Sequence, residues 1–158
     1  MRRALVVPAV FWVALLSVAL GAGCASTGPT YIVPADHPFS GLAAAWTPTT
    51  ADVARAERGL RSYLRSLGPS VVHDYGNGPL WKRLHSFGRQ YVGVRRDGRR
   101  VIWINLFDTD NPFYEKGSER ETLVKLHECG DCNAEVYYDL DRGWYSDFWE
   151  STPLIKTR

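Results

Sequence analysis

Between Gln90 and Phe107, two runs rich in Val, Ile and aromatic residues flank the pair Asp97-Gly98. In that setting an Asp-Gly pair signals a two-residue type I′ turn, whose central residues both need positive φ. The turn fixes the register. Val94 faces Val101, Val92 faces Trp103, and Tyr91 faces Ile104. Side chains alternate along a strand, so Val92, Val94, Val101 and Trp103 share one face. Tyr91, Ile102, Ile104 and Leu106 share the other. Both faces are apolar, and water would be unfavourable on either. The hairpin therefore sits centrally in a sheet covered on both sides, or curls around a helix.

A helix is predicted over about 51–67. Thr49 or Thr50 can cap it, and Asp52 lies in its first turn. Val53, Ala56, Leu60, Leu64 and Leu67 form one apolar stripe, while Arg55, Glu57, Arg58, Arg61 and Arg65 fall mainly elsewhere and face water. Gly68-Pro69 ends it, and Gly59 inside it is unfavourable. Residues 70–75 read as a short strand before Gly76-Asn77-Gly78-Pro79. Residues 80–87 read as a helical turn or a strand. After a polar loop over 108–121, residues 122–128 and 133–140 read as a second hairpin across Cys129-Gly130-Asp131-Cys132. Asp141-Arg142-Gly143 turns the chain into a last strand over 144–149. The expected class is α+β: one N-terminal helix packed on an antiparallel meander of four to six strands. This order resembles cystatin-like folds at the level of architecture.

The N-terminus constrains location. Arg2 and Arg3 precede an apolar run from Ala4 to Leu20, then small residues lead to Cys24. Charged start, apolar middle and small-residue end make an export signal. The Leu20-Gly21-Ala22-Gly23-Cys24 segment resembles the lipobox of bacterial lipoproteins, with Gly21 where that family usually has Leu. The resemblance implies cleavage before Cys24, lipidation of that cysteine and a membrane contact through the lipid. Ala25 then implies the outer membrane, facing the periplasm, in a Gram-negative host. Ordinary secretion with Cys24 retained, or an uncleaved anchor, are the alternatives. The domain reading is a signal over 1–23, a flexible Pro-rich tether over 24–48 and a single domain over 49–158. Tyr31-Ile32-Val33 can dock locally within the tether.

Removing the 23 residues before Cys24 from 158 leaves 135, enough for one domain with a core. Taking Arg2 and Arg3 from the 19 basic residues leaves 17, against 17 acidic. A neutral mature chain gives no electrostatic footprint for nucleic acid. The 13% aromatic content serves a core first, because a small domain needs bulky side chains.

Three cysteines with one lipidated leave Cys129 and Cys132 as a pair, and an oxidising compartment favours their disulfide. His127, Cys129 and Cys132 together also offer three soft ligands to a metal. Cys-Gly-Asp-Cys has the spacing of a thiol-redox pair, but a strand rather than a helix is expected after it. A fourth metal ligand would come from His73, His85 or Asp131. Arg95, Arg96, Arg99 and Arg100 surround the Asp97-Gly98 turn and can contact an anionic partner, or can serve as a solvated, aggregation-resistant tip. The segment from Gly130-Asp131-Cys132 through Tyr138-Asp139 to Gly143 resembles a pattern in small exported bacterial proteins and carries no activity with it. No nucleophile elbow, zinc-protease helix or phosphate-binding glycine loop occurs.

The functional expectation is an envelope lipoprotein with a non-enzymatic binding or inhibitor-like domain and no cofactor. Its partner would be an envelope protein or cell-wall component. The alternative is a periplasmic metal-binding or thiol-redox domain using His127, Cys129 and Cys132.

Overall fold

The central hairpin forms with the predicted register. In the computed structural model, which describes residues 28–38, 44–126 and 129–151, strands β2 (Phe87–Arg96) and β3 (Arg99–Asp108) are antiparallel. Val94 lies opposite Val101, Val92 opposite Trp103 and Tyr91 opposite Ile104. Asp97 and Gly98 take φ of 51° and 78°, the positive pair a type I′ turn requires. β4 (Asn133–Asp139) pairs antiparallel with β3, and β5 (Trp144–Glu150) pairs antiparallel with β4.

The fifth strand departs from the expected meander. β1 (Thr30–Val33) pairs parallel with β2, Thr30 opposite Arg89 and Val33 opposite Val92. The sheet is therefore mixed, in the order β1-β2-β3-β4-β5. Tyr31-Ile32-Val33 docks as this edge strand. Val33 is fully buried and packs with Val92 and Trp103, which is the apolar gain that orders a short segment among prolines. Farther along, Trp46 bridges to Gly93, where a Cβ would stand 2.7 Å from the indole ring. Gly93 is glycine because the two backbones approach there.

Helix α1 (Thr50–Leu67) follows, with Thr49 as N-cap. The Thr49 hydroxyl accepts from the Asp52 amide at 3.2 Å, and the Asp52 carboxylate accepts from the Thr49 amide at 3.0 Å. This capping box satisfies two orphan donors of the first turn. Val53, Ala56, Leu60 and Leu64 are buried against Tyr91, Ile102, Ile104, Val136 and Tyr138. Gly59 has a packing reason: a Cβ there would lie 3.1 Å from the Tyr145 ring. Residues 80–87 take the helical option, as α2 (Leu80–Arg83) and a 3₁₀ turn (Leu84–Ser86). Residues 70–75 do not form the expected strand. They are a turn-rich connection that buries Val72 and leaves Val71 exposed.

The expected second hairpin does not form either. β4 already has β3 and β5 as neighbours, so residues 122–126 find no free ladder. They belong to a long connection laid over the sheet face opposite α1. Side-chain amides replace the missing ladder. The Gln90 amide donates to Glu119 O at 2.8 Å and Thr122 O at 2.7 Å, and its oxygen accepts from the Val124 amide at 3.0 Å. Asn105 donates to Gln90 at 2.9 Å and to Val124 O at 2.7 Å. Asn133 donates to Asn105 at 2.8 Å and Leu106 O at 2.7 Å. All three amides are buried. The fold is α+β, with helices on one side of a five-stranded mixed sheet and this connection on the other.

Candidate functional site

Cys24 and His127 lie outside the described residues. Cys129 and Cys132 stand at disulfide distance, their Cα atoms 5.6 Å apart. Cys132 is buried and Cys129 half-buried, with the Ser151 hydroxyl 3.8 Å from the Cys129 sulfur. Cys132 runs straight into β4 at Asn133. No helix N-terminus follows it to lower a thiol pKa.

Two carboxylates flank this loop. Asp131 forms an ion pair with Arg83, which also reaches Asp108 at 3.6 Å. Burial pushes the Asp131 carboxyl up, and the Arg83 charge partly offsets that. Glu150 is likewise raised by burial, opposed by the His73 amide and ring, whose Nδ1 lies 3.2 Å from the Glu150 carboxylate. Of the ligands considered to complete a metal site, His73 therefore engages Glu150 and Asp131 engages Arg83. Among the described residues, no three His, Cys, Asp or Glu side chains are grouped to hold a metal ion.

The arginine tip is charge-compensated. Arg96 pairs with Asp147 and its guanidinium lies 3.5 Å from the Tyr137 ring centre. Arg99 reaches Asp139 at 3.0 Å and Asp97 at 3.1 Å. Arg100 faces Asp141 at 3.8 Å and packs over Trp46. Arg95 donates to the Gly98 carbonyl at 3.0 Å. Asp139, Asp141 and Asp147 come from the β4–β5 hairpin, about 40 residues or more beyond the tip in sequence. The exposed pairs, Arg96–Asp147 and Arg100–Asp141, are each worth about 0–1 kcal/mol, and together with the buried Asp139 they remove most of the net positive field at the tip.

Arg55 and Arg58, read as facing water, are exposed as expected and also flank a cleft. Arg55 and Arg58 are one helical turn apart on α1. With Gly59, Tyr138, Gly143 and Tyr145 they line a cleft of about 310 Å³ between the helix and the β4–β5 turn. Arg55 donates to the Leu140 carbonyl at 2.9 Å, and the Tyr145 hydroxyl donates to the Ala56 carbonyl. Burial pushes the Tyr145 phenol well up, so the hydroxyl keeps its proton across the physiological range. The available sequence signal was the Arg-x-x-Arg-Gly run within the helix.

Aromatic side chains divide between core and surface. Trp103 is buried and donates to Glu135 at 3.1 Å. Trp144 and Trp149 on β5 are about half exposed, and Arg142 lies over the Trp144 ring.

Comparison with protein-family models, with curated proteins and with solved structures finds no match to this chain.

Proposed function

We propose that the protein is an envelope lipoprotein, held by lipid on Cys24, whose α+β domain is a binding or inhibitor-like module rather than an enzyme. The observation that carries this reading is where the packed domain begins. Gly28 already lies against the backbone of Phe87 and Gly88, four residues after Cys24. Four residues span at most about 14 Å. A lipid on Cys24 would hold the Phe87/Asp108 end of the sheet beside the bilayer, on a tether far shorter than 24–48. The Asp97-Gly98 tip, at the far end of ten-residue strands, would point outward by about 30 Å. Phe113, 81% exposed in the connection that leaves the bilayer-side end of β3, suits a membrane interface. The paired arginine tip suits a protein or cell-wall partner better than the anchoring bilayer.

The resemblance to cystatin-like architecture is kept as a proposal for the helix-on-meander portion, α1 with β2–β5. The parallel β1 lies outside that pattern. Fractionating cells that express the wild type or Cys24→Ser tests the reading. Wild type is expected in the membrane fraction, and Cys24→Ser in the soluble envelope fraction. Cys24→Ser remaining membrane-bound would contradict it.

A thiol or metal role using His127, Cys129 and Cys132 is favoured by one observation: Cys129 is only half-buried and lies beside Ser151, the neighbour of a buried carboxylate. Free thiols, or a co-purifying metal lost on Cys129→Ser, would select that role.

A further inference from the structure

We propose that the cleft between α1 and the β4–β5 turn is a binding site for a phosphate group. Arg55 and Arg58 present two guanidiniums from one side, and no acidic side chain lines the cleft. A dianion matches that charge better than a single carboxylate does. Guanidiniums also meet phosphate oxygens in pairs, with donors in a fixed fork.

A second observation points to the same ligand. Tyr138 is only 6% exposed, and its hydroxyl has no hydrogen-bond partner among the described residues. The hydroxyl lies toward the rim at Gly143, where a Cβ would be 3.9 Å from it. The ring is buried, but the hydroxyl oxygen itself reaches solvent at the cleft mouth, where it can donate to a ligand. An oxyanion in the cleft supplies the acceptor. Arg58 likewise has no ion-pair or hydrogen-bond partner among the described residues, whereas Arg55 is steadied by the Leu140 carbonyl. Gly59 and Gly143 contribute no side chain, so the entrance stays open. The volume of about 310 Å³ is at the small end for ligand pockets, which fits a phosphate with a small organic group attached. The site stands whether or not Cys24 is lipidated.

The test uses the full-length protein in detergent, with inorganic phosphate as one probe and phosphatidylglycerol vesicles as the other. Phosphate is expected to shift the Gly59 and Gly143 amide resonances saturably. Arg58→Gln should weaken binding about tenfold and Tyr138→Phe about fivefold, as expected for charge-assisted and neutral donors. Arg61→Gln, on an exposed part of the same helix, should leave binding unchanged. Binding to the vesicles alone, lost in Arg58→Gln and Tyr138→Phe, would assign the phosphate to a lipid headgroup and support the site. The proposal is overturned if neither probe binds or if the two cleft variants bind like wild type. It is also overturned if Arg61→Gln weakens binding as much as Arg58→Gln, which would mark general charge attraction.

Discussion

The two faces of the sheet are closed by different physics. The α1 face is closed mainly by apolar burial: Leu60 and Leu64 meet Ile102, Ile104 and Val136, joined by one polar link in which Arg89 and the Tyr91 hydroxyl donate to Glu57. The opposite face is closed by an irregular connection. There the buried amides of Gln90 and Asn105 hold backbone groups that no strand pairs, and Asn133 donates to Asn105 behind them. Apolar burial is non-directional and tolerates local adjustment. An amide network is directional, and losing one member leaves several buried groups unpaired. The first face should therefore fail globally and the second locally.

The largest expected effect tests the first half of that contrast. Leu60→Ala should cost about 3 kcal/mol by transfer and cavity terms, read by urea denaturation. Amide protection should fall across the whole molecule. Loss confined to α1 would show that the helix opens independently of the sheet.

Gln90→Ala sharpens the second half. It strands the Glu119 and Thr122 carbonyls and the Val124 amide, at a cost of about 2 kcal/mol. The expected signature in native-state hydrogen exchange is loss of protection at Val124 while the Ile104 amide stays protected. Equal loss at both would mean that the two faces are one cooperative unit.

Reducing the proposed Cys129–Cys132 disulfide should cost less, at most about 2 kcal/mol for so short a loop in the chain-entropy model. Denaturation with and without reductant reads it. A larger loss would give the bridge a role beyond clamping the turn.

The smallest effect is alkaline. Burial and the neighbouring Glu119 carboxylate push the Tyr114 phenol from its ordinary 10 up to about 12. Folding thus favours the protonated phenol. Its contribution is fully present below pH 10 and is lost as pH rises from about 10 to 12. Wild type should lose more stability across that window than Tyr114→Phe, measured as urea midpoints. Parallel curves would remove Tyr114 from the account.

The sequence was most legible where one local rule decided the outcome. Asp97-Gly98 and the alternating arms gave the hairpin register, and Thr49 with Asp52 gave the helix start. It was least legible where the partner lay far away. Residues 122–126 do alternate, with Val124 and Leu126 buried and Lys125 exposed. That period belongs equally to a strand and to a segment stitched down by side chains, so periodicity alone misassigned it. β1 is four residues long among prolines, and only the free edge of β2 orders it. The arginine tip was legible as a cluster, but its neutralising aspartates arrive from another hairpin. The cleft was hidden because Arg55 and Arg58 follow an ordinary solvated pattern until Gly59 and Gly143 bring the β4–β5 turn beside them.

On the proposed anchoring, a lipid four residues before Gly28 would select the outward end of the sheet and so the surfaces that can meet a partner. The most direct measurement is intact mass with free-thiol counting on protein purified from its native membrane. The account predicts a chain beginning at Cys24, carrying lipid there, with Cys129 and Cys132 two hydrogens lighter than the dithiol. A mature chain without lipid on Cys24, or one with both thiols free and a bound metal, would contradict it.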